Sequence, residues 1–260
     1  MRNALRGTIV VVVVAILGTG IASATLFAGA NVRVSFRAWL TPTALPRTGA
    51  APVSLHLRGR LTTTDGKEPP QLERVTVELN RNGKLSTRGL PTCPKRRILS
   101  TTTSQALKLC GGALVGSGSF TAHISIPTQA PFPARGRVLA FSSMQHGRRV
   151  MLTHIYGTVP VPTTRVLDLG ASRARGGTFG PRFSVPMPRV AADWGYVTGF
   201  DLTLHRLYRY RGRVRSLISA ACPAPAGFRA AVFTVAKGTY YLADGRRLTR
   251  TLDGSCRVSG

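Results

Sequence analysis

Nine carboxylates, five histidines and four cysteines are the groups in this 260-residue chain best suited to acid–base, metal or redox chemistry. Their spacing supports little of it. There is no C-x-x-C, H-x-x-x-H or H-E-x-x-H spacing, so neither a zinc site nor a thioredoxin-like pair is expected. Glycoside hydrolysis needs two facing carboxylates. Asp65, Asp244 and Asp253 are each followed by glycine, where Asp serves the backbone of a turn. That leaves Glu68, Glu73, Glu78, Asp168, Asp193 and Asp201. Only Asp193-Trp194-Gly195-Tyr196 joins a carboxylate to aromatic rings, so Asp193, Trp194 and Tyr196 are the carbohydrate candidates. Gly116-Ser117-Gly118-Ser119 lacks the spaced glycines of a nucleophile elbow and reads as a tight strand entry. His56 and His123 fall on the polar faces of strands, where solvated side chains are expected. No catalytic residue, cofactor or metal is expected, and the protein reads as non-enzymatic.

Cations dominate instead. The chain has 36 Lys and Arg against 9 Asp and Glu, a formal net charge of +27. A field of that sign attracts anionic polymers and surfaces. It is densest at Lys95, Arg96 and Arg97, and at Arg206, Arg209, Arg211, Arg213 and Arg215. Tyr208 and Tyr210 interleave the second cluster, a pattern that suits single-stranded nucleic acid. An exported protein rarely meets that ligand, so nucleic acid is not the expected partner.

Export is the reading of the N-terminus. Arg2 and Arg6 precede the apolar run TIVVVVVAILG (8–18), and Ala22-Ser23-Ala24 and Ala28-Gly29-Ala30 follow. This is the tripartite pattern of a Sec-type signal peptide, residues 1–30, with cleavage after Ala24 or Ala30. The apolar run is shorter than the roughly twenty residues of a membrane span. An uncleaved N-terminal helix anchoring the protein to the membrane is the alternative. In an oxidising compartment four cysteines favour two disulfides. The neighbouring pairing is Cys93–Cys110 and Cys222–Cys256, with the two other connectivities open.

The elements that must position these groups are strands. Val32, Val34 and Phe36 alternate with Arg33, Ser35 and Arg37, and Val53, Leu55, Leu57 and Leu61 alternate with Ser54, His56, Arg58 and Arg60. That period of two marks strands with one buried face. Further strands are expected through Val75–Leu79, Phe120–Ile126, 138–144, 149–158, 166–169, 178–185, 196–207, 231–236, 238–243 and 247–252. Asn82-Gly83, His146-Gly147 and Asp244-Gly245 read as hairpin turns. The exception is Gly89 to Gly118, which carries two cysteines, the Lys95–Arg97 run and a short helix over Thr101–Leu109, capped by threonines and stopped at Gly111-Gly112. The expected fold is all-β: antiparallel β-sandwich units with one short helix and two disulfides. The expected division is an N-terminal β-unit over 31–165, containing the helical crossover, and a C-terminal β-unit over 166–260.

The segments TTTDGKEPPQLERVTVELNRNGKLSTRGLPTCP, SQALKLCGGALVGSGSF, PFPARGRVLAF and VPTTRVL, with the Cys-Pro at Cys222 and the late Cys256, span most of the chain. On these segments it resembles a family of secreted, Cys-Pro-containing β-rich proteins from G+C-rich, actinobacterial-type bacteria. The resemblance implies export and paired cysteines. It implies no activity, so it carries over no catalytic residue. The preferred function is binding of anionic cell-wall polymer or membrane headgroups through Arg-rich faces, in the envelope or outside the cell. The second reading is a carbohydrate-binding or carbohydrate-active module built on Asp193, Trp194 and Tyr196. The third is a structural envelope component without a specific ligand.

Overall fold

Alternation becomes a wall with an apolar lining. Val53, Leu55, Leu57 and Leu61 are buried, while Arg58 and Arg60 stand exposed between them. The computed structural model describes residues 22–28, 31–174, 177–187 and 195–259, the first of these by backbone path. Its strands are β1 (Ala22–Ala28), β2 (Val32–Thr41), β3 (Ala44–Leu45), β4 (Ala51–Pro52), β5 (Ser54–Thr63), β6 (Leu72–Asn80) and β7 (Gly83–Leu85). After the helix α1 (Thr103–Cys110) come β8 (Leu114–Ile124), β9 (Phe132–Gln145), β10 (Arg148–Gly157), β11 (Thr163–Arg173), β12 (Phe179–Pro186) and β13 (Gly195–Leu204). The chain ends with β14 (Leu207–Tyr210), β15 (Arg213–Ser216), β16 (Ile218–Ala220), β17 (Ala230–Leu242) and β18 (Arg247–Val258). The expected all-β class with one short helix and two disulfides is what the chain adopts.

Thirteen strands form one sheet in the order β1-β2-β5-β13-β8-β9-β10-β11-β12-β6-β17-β18-β3, antiparallel except for the β18–β3 edge. The sheet curls until β1 lies against β18. Strands from early and late in the chain alternate in it: β13 sits between β5 and β8, and β6 sits between β12 and β17. The core lies inside the curl. One row of register partners crosses it through Phe36, Gly59, Phe200, Phe120 and Gly136. The glycines make room for the rings: a Cβ at Gly59 would strike the Phe200 ring, and one at Gly136 the Phe120 ring. From the opposite layer Tyr240 meets Phe36 edge-on, ring centroids 5.9 Å apart.

The irregular segment lies outside this wall. Thr102 caps α1 by accepting the Gln105 N–H, while the Gln105 side chain accepts the Thr102 N–H. The helix therefore begins at Thr103, two residues later than the expected Thr101. Its buried residues Ala106 and Cys110 join Cys93, Ile98 and Ala113 over the outer face of β9 and β10, against Leu139, Phe141 and Leu152. β9 is thus buried on both faces from Val138 to Ser143. The Cys93 N–H donates to the Ser142 carbonyl at 2.8 Å, and Ser143 Oγ donates to the Cys93 carbonyl at 2.6 Å. Both disulfides join the neighbouring cysteines, Cys93–Cys110 across 17 positions and Cys222–Cys256 across 34. They point to an oxidising compartment. Among the described residues no helix is long and apolar enough to cross a membrane.

The turn at Asn82-Gly83 is not a hairpin. β6 bonds to β12 on one edge and β17 on the other, so the chain must leave the sheet, and β7 pairs with β16 instead. Asn80 Oδ1 accepts the Asn82 N–H and shapes the exit. The other two turns join the strands expected of them, β9 to β10 and β17 to β18. The expected signal peptide lies outside the described residues apart from 22–28, whose backbone pairs along β2.

His154 anchors the outer segment. It is fully buried, and its Nε2 lies 3.0 Å from the Thr101 carbonyl and 3.1 Å from Thr101 Oγ1. Burial lowers its pKa from the ordinary histidine value and outweighs the opposing hydrogen bond to Thr101. The unfolded chain therefore takes up the proton first. Stability is full above about pH 6.5 and is lost as the pH falls from there toward the lowered folded value, at a slope approaching about 1.4 kcal/mol per pH unit. Thermal unfolding midpoints at pH 7.5 and 5.0 should show a larger drop for the wild type than for His154→Gln. Equal drops in the two proteins would remove His154 from the account.

Candidate anion-binding groove

The hairpin of β14 and β15 follows from its residues. Arg211 and Gly212 have φ of 50° and 74°, the left-handed pair of a two-residue turn that matches strand twist. The register sets Tyr208 opposite Arg215 and Tyr210 opposite Arg213, on one face. Leu207, Arg209, Val214 and Ser216 share the other. The tyrosine face docks on the chain that leads out of β7. Tyr208 OH donates to the Arg88 carbonyl at 3.0 Å, and the Tyr210 ring lies over Gly89, where a Cβ would collide with it. The guanidinium carbons of Arg211 and Arg215 lie 5.4 and 5.8 Å from the Tyr210 centroid, within cation–π range. The tyrosines thus hold the hairpin to the body, while Arg209, Arg211, Arg213 and Arg215 remain exposed.

Beside the hairpin runs an open groove of about 970 Å³. Arg81 and Lys84 line it from the β6–β7 exit, and Arg215 lines it from β15; all three are exposed. Ser172 and Ser219 add hydroxyls, and among the described lining residues there is no carboxylate. Arg81 Nη1 donates to the Gly177 carbonyl at 3.4 Å. Three basic side chains and hydroxyl donors facing an open channel can hold successive anionic groups, with guanidinium suited to two-oxygen contacts. A second hollow, of about 430 Å³, carries Arg37, Arg58 and Arg60 on the outer face of β2 and β5. Asp201 also lines it and forms an ion pair with Arg58, which offsets one of its charges.

The expected site residues divide. Of the hairpin arginines Arg215 lines the groove, while Arg209, Arg211 and Arg213 are exposed on the hairpin but do not line it. Arg206 instead donates to the Gly112 carbonyl at 3.2 Å, tying the hairpin base to the outer segment. Lys95 forms an ion pair with Asp168 at 2.9 Å. Partial burial pushes the Asp168 carboxyl up, but the bonds from Lys95 and from Gln145 Nε2 outweigh it and hold its pKa below the usual value. Arg96 and Arg97 are exposed beside that pair. Asp193 and Trp194 lie outside the described residues. Tyr196 is only 9% exposed, its ring edge-on to His123. Burial and the nearby Glu68 charge push its hydroxyl pKa up to about 12. His56 stacks on Trp39 with ring centroids 4.9 Å apart and bonds Thr203 Oγ1 at 3.0 Å, so it is half-buried rather than fully solvated. Among the described residues no group of three His, Cys, Asp or Glu could hold a metal ion.

Arg81 and Lys84 are absent from the expected set. The signal was the cation on each side of Asn82-Gly83, hidden by reading that stretch as a hairpin turn. Comparison of the chain with protein-family models, curated protein sequences and solved structures returns no match.

Proposed function

We propose that the protein is exported through its N-terminal leader and binds anionic polymer of the cell envelope, without catalysis. The observation that carries this reading is the groove, in which Arg81, Lys84 and Arg215 face solvent with no carboxylate among the described lining residues. The adjoining hairpin adds the exposed cations Arg209, Arg211 and Arg213 nearby, outside the groove lining. Exposed charges of this kind bind polyanions chiefly by releasing counterions, so affinity falls steeply with salt. A discrete groove makes that binding local rather than a property of net charge spread over the surface.

The test is retention on immobilised polyphosphate across a salt series, using the full exported chain. The wild type should be retained at low salt and released at moderate salt. Arg81→Glu/Lys84→Glu/Arg215→Glu should elute earlier and reduce the slope of log affinity against log salt by about two to three. A control that converts three arginines outside the groove, Arg33, Arg60 and Arg182, to Glu has the same net charge and should elute near the wild type. No retention of the wild type at low salt, or equal loss in both triple variants, would refute the groove as the site.

A further inference from the structure

The curled sheet encloses a hollow of about 90 Å³ between its layers, walled by strands β5, β6 and β8 to β13. Its lining is almost wholly apolar, with Val138, Val197, Leu202 and Phe183 among the side chains and Thr153 as the buried hydroxyl. A second hollow of about 30 Å³ adjoins it, and Phe120 and Ile155 line both. The outer hollow includes Arg165, which pairs with Ile155 across β10 and β11 and so shares its inward face. Arg165 is exposed and has no ion-pair partner among the described residues. Arg135 lines the outer hollow as well. An apolar pocket that ends among arginines matches one kind of molecule, an apolar tail with an anionic head.

We propose that this cavity binds a short straight-chain monocarboxylate, tail inward past Phe120 and Ile155 and carboxylate against Arg165. Size limits the tail. A dry apolar cavity of about 150 Å³ takes up benzene, so these two hollows suit a tail of roughly five carbons. The guanidinium supplies a two-donor fork for the carboxylate at the mouth, where solvent screening leaves the tail as the main source of affinity. The site is separate from the groove and does not depend on it.

The experiment is a titration of the full chain, isotopically labelled at methyl groups, with hexanoate, 1-hexanol and acetate. Hexanoate should shift the methyl signals of Ile155, Val197 and Leu202 saturably. Hexanol should bind about three- to fivefold more weakly, acetate should leave those signals unmoved, and Arg165→Gln should bring hexanoate down to the level of hexanol. Val138→Phe should fill the hollow and abolish the shifts. Should that variant fail to fold, Leu202→Ala serves instead: it enlarges the hollow and should move the preference from hexanoate to octanoate. No saturable shift with hexanoate in the wild type overturns the site. Equal affinity for hexanoate and hexanol overturns the role of Arg165.

Discussion

Cys110→Ser is expected to release the segment that covers the outer face of β9 and β10, and to lower stability by about 3 kcal/mol. The closed loop spans 17 positions, and the entropy returned to the unfolded chain on opening a loop of that size is of this order. For a chain of this length the unfolding midpoint should fall by about 6–12 °C. The local consequence is more diagnostic than the global one. Leu139, Phe141 and Leu152 are buried on this face by Cys93, Ile98, Ala106, Cys110 and Ala113. α1 has only eight residues, too few to hold its own conformation in water. Without the covalent tie, its capping box and polar contacts such as those of Cys93 with Ser142 and Ser143, of Thr101 with His154 and Thr164, and of Gly112 with Arg206 are left to hold it down. Amide exchange should therefore speed up across 93–113 and along the outer faces of β9 and β10, while β17 and β18 keep their protection. Cys93 should become available to a thiol reagent. An unchanged midpoint together with unchanged exchange in 93–113 would show that the apolar contacts alone hold the segment.

Gly118→Ala should cost at least about 3 kcal/mol, at the upper end of overpacking effects. Gly118 lies in β8 opposite Leu202 of β13 and Val138 of β9. A Cβ there would overlap the Asp201 carbonyl oxygen and press on the Leu202 Cα. Both are backbone, so no rotamer change relieves the clash, and β8 and β13 must separate. That junction is where late and early parts of the chain meet, since β13 bridges β5 and β8. Gly111→Ala is the control: nothing lies within 4 Å of the added atom and its φ is −56°, so its effect should stay within about 0.5 kcal/mol. Urea unfolding midpoints of the two variants decide the matter. Equal midpoints would mean that β8 and β13 are not held as closely as this register requires.

Much of the fold is legible locally. Alternation at Val32–Phe36 and Val53–Leu61 identifies the buried face of β2 and β5 because pleating gives a strand a period of two whatever its partner. His146-Gly147 and Asp244-Gly245 close hairpins because their flanking strands have free edges to offer each other. The neighbouring cysteine pairs form because their segments are brought together within short loops. Asn82-Gly83 has the same local chemistry and a different outcome. Nothing within the stretch reveals that both edges of β6 are already taken by β12 and β17. For the same reason the groove was only half legible. Arg215 stood out in a dense run, whereas Arg81 and Lys84 gained significance only when the β6–β7 exit was laid beside β15.

The amino-acid sequence by itself determined the faces of the strands, the all-β class, the cap of the helix and the excess of cations. These depend on side-chain period and on interactions within a few residues. The tertiary structure alone decided which strands became neighbours and where α1 came to lie. It also decided which of the many arginines share a surface, and that the curl leaves an apolar hollow at its centre. Strand order follows from edges competing for partners across the whole chain, and a hollow from how the rings of Phe120 and Phe200 fill the space beside Gly136 and Gly59. Neither quantity is carried by any one segment, so neither could be read before the sheet was closed.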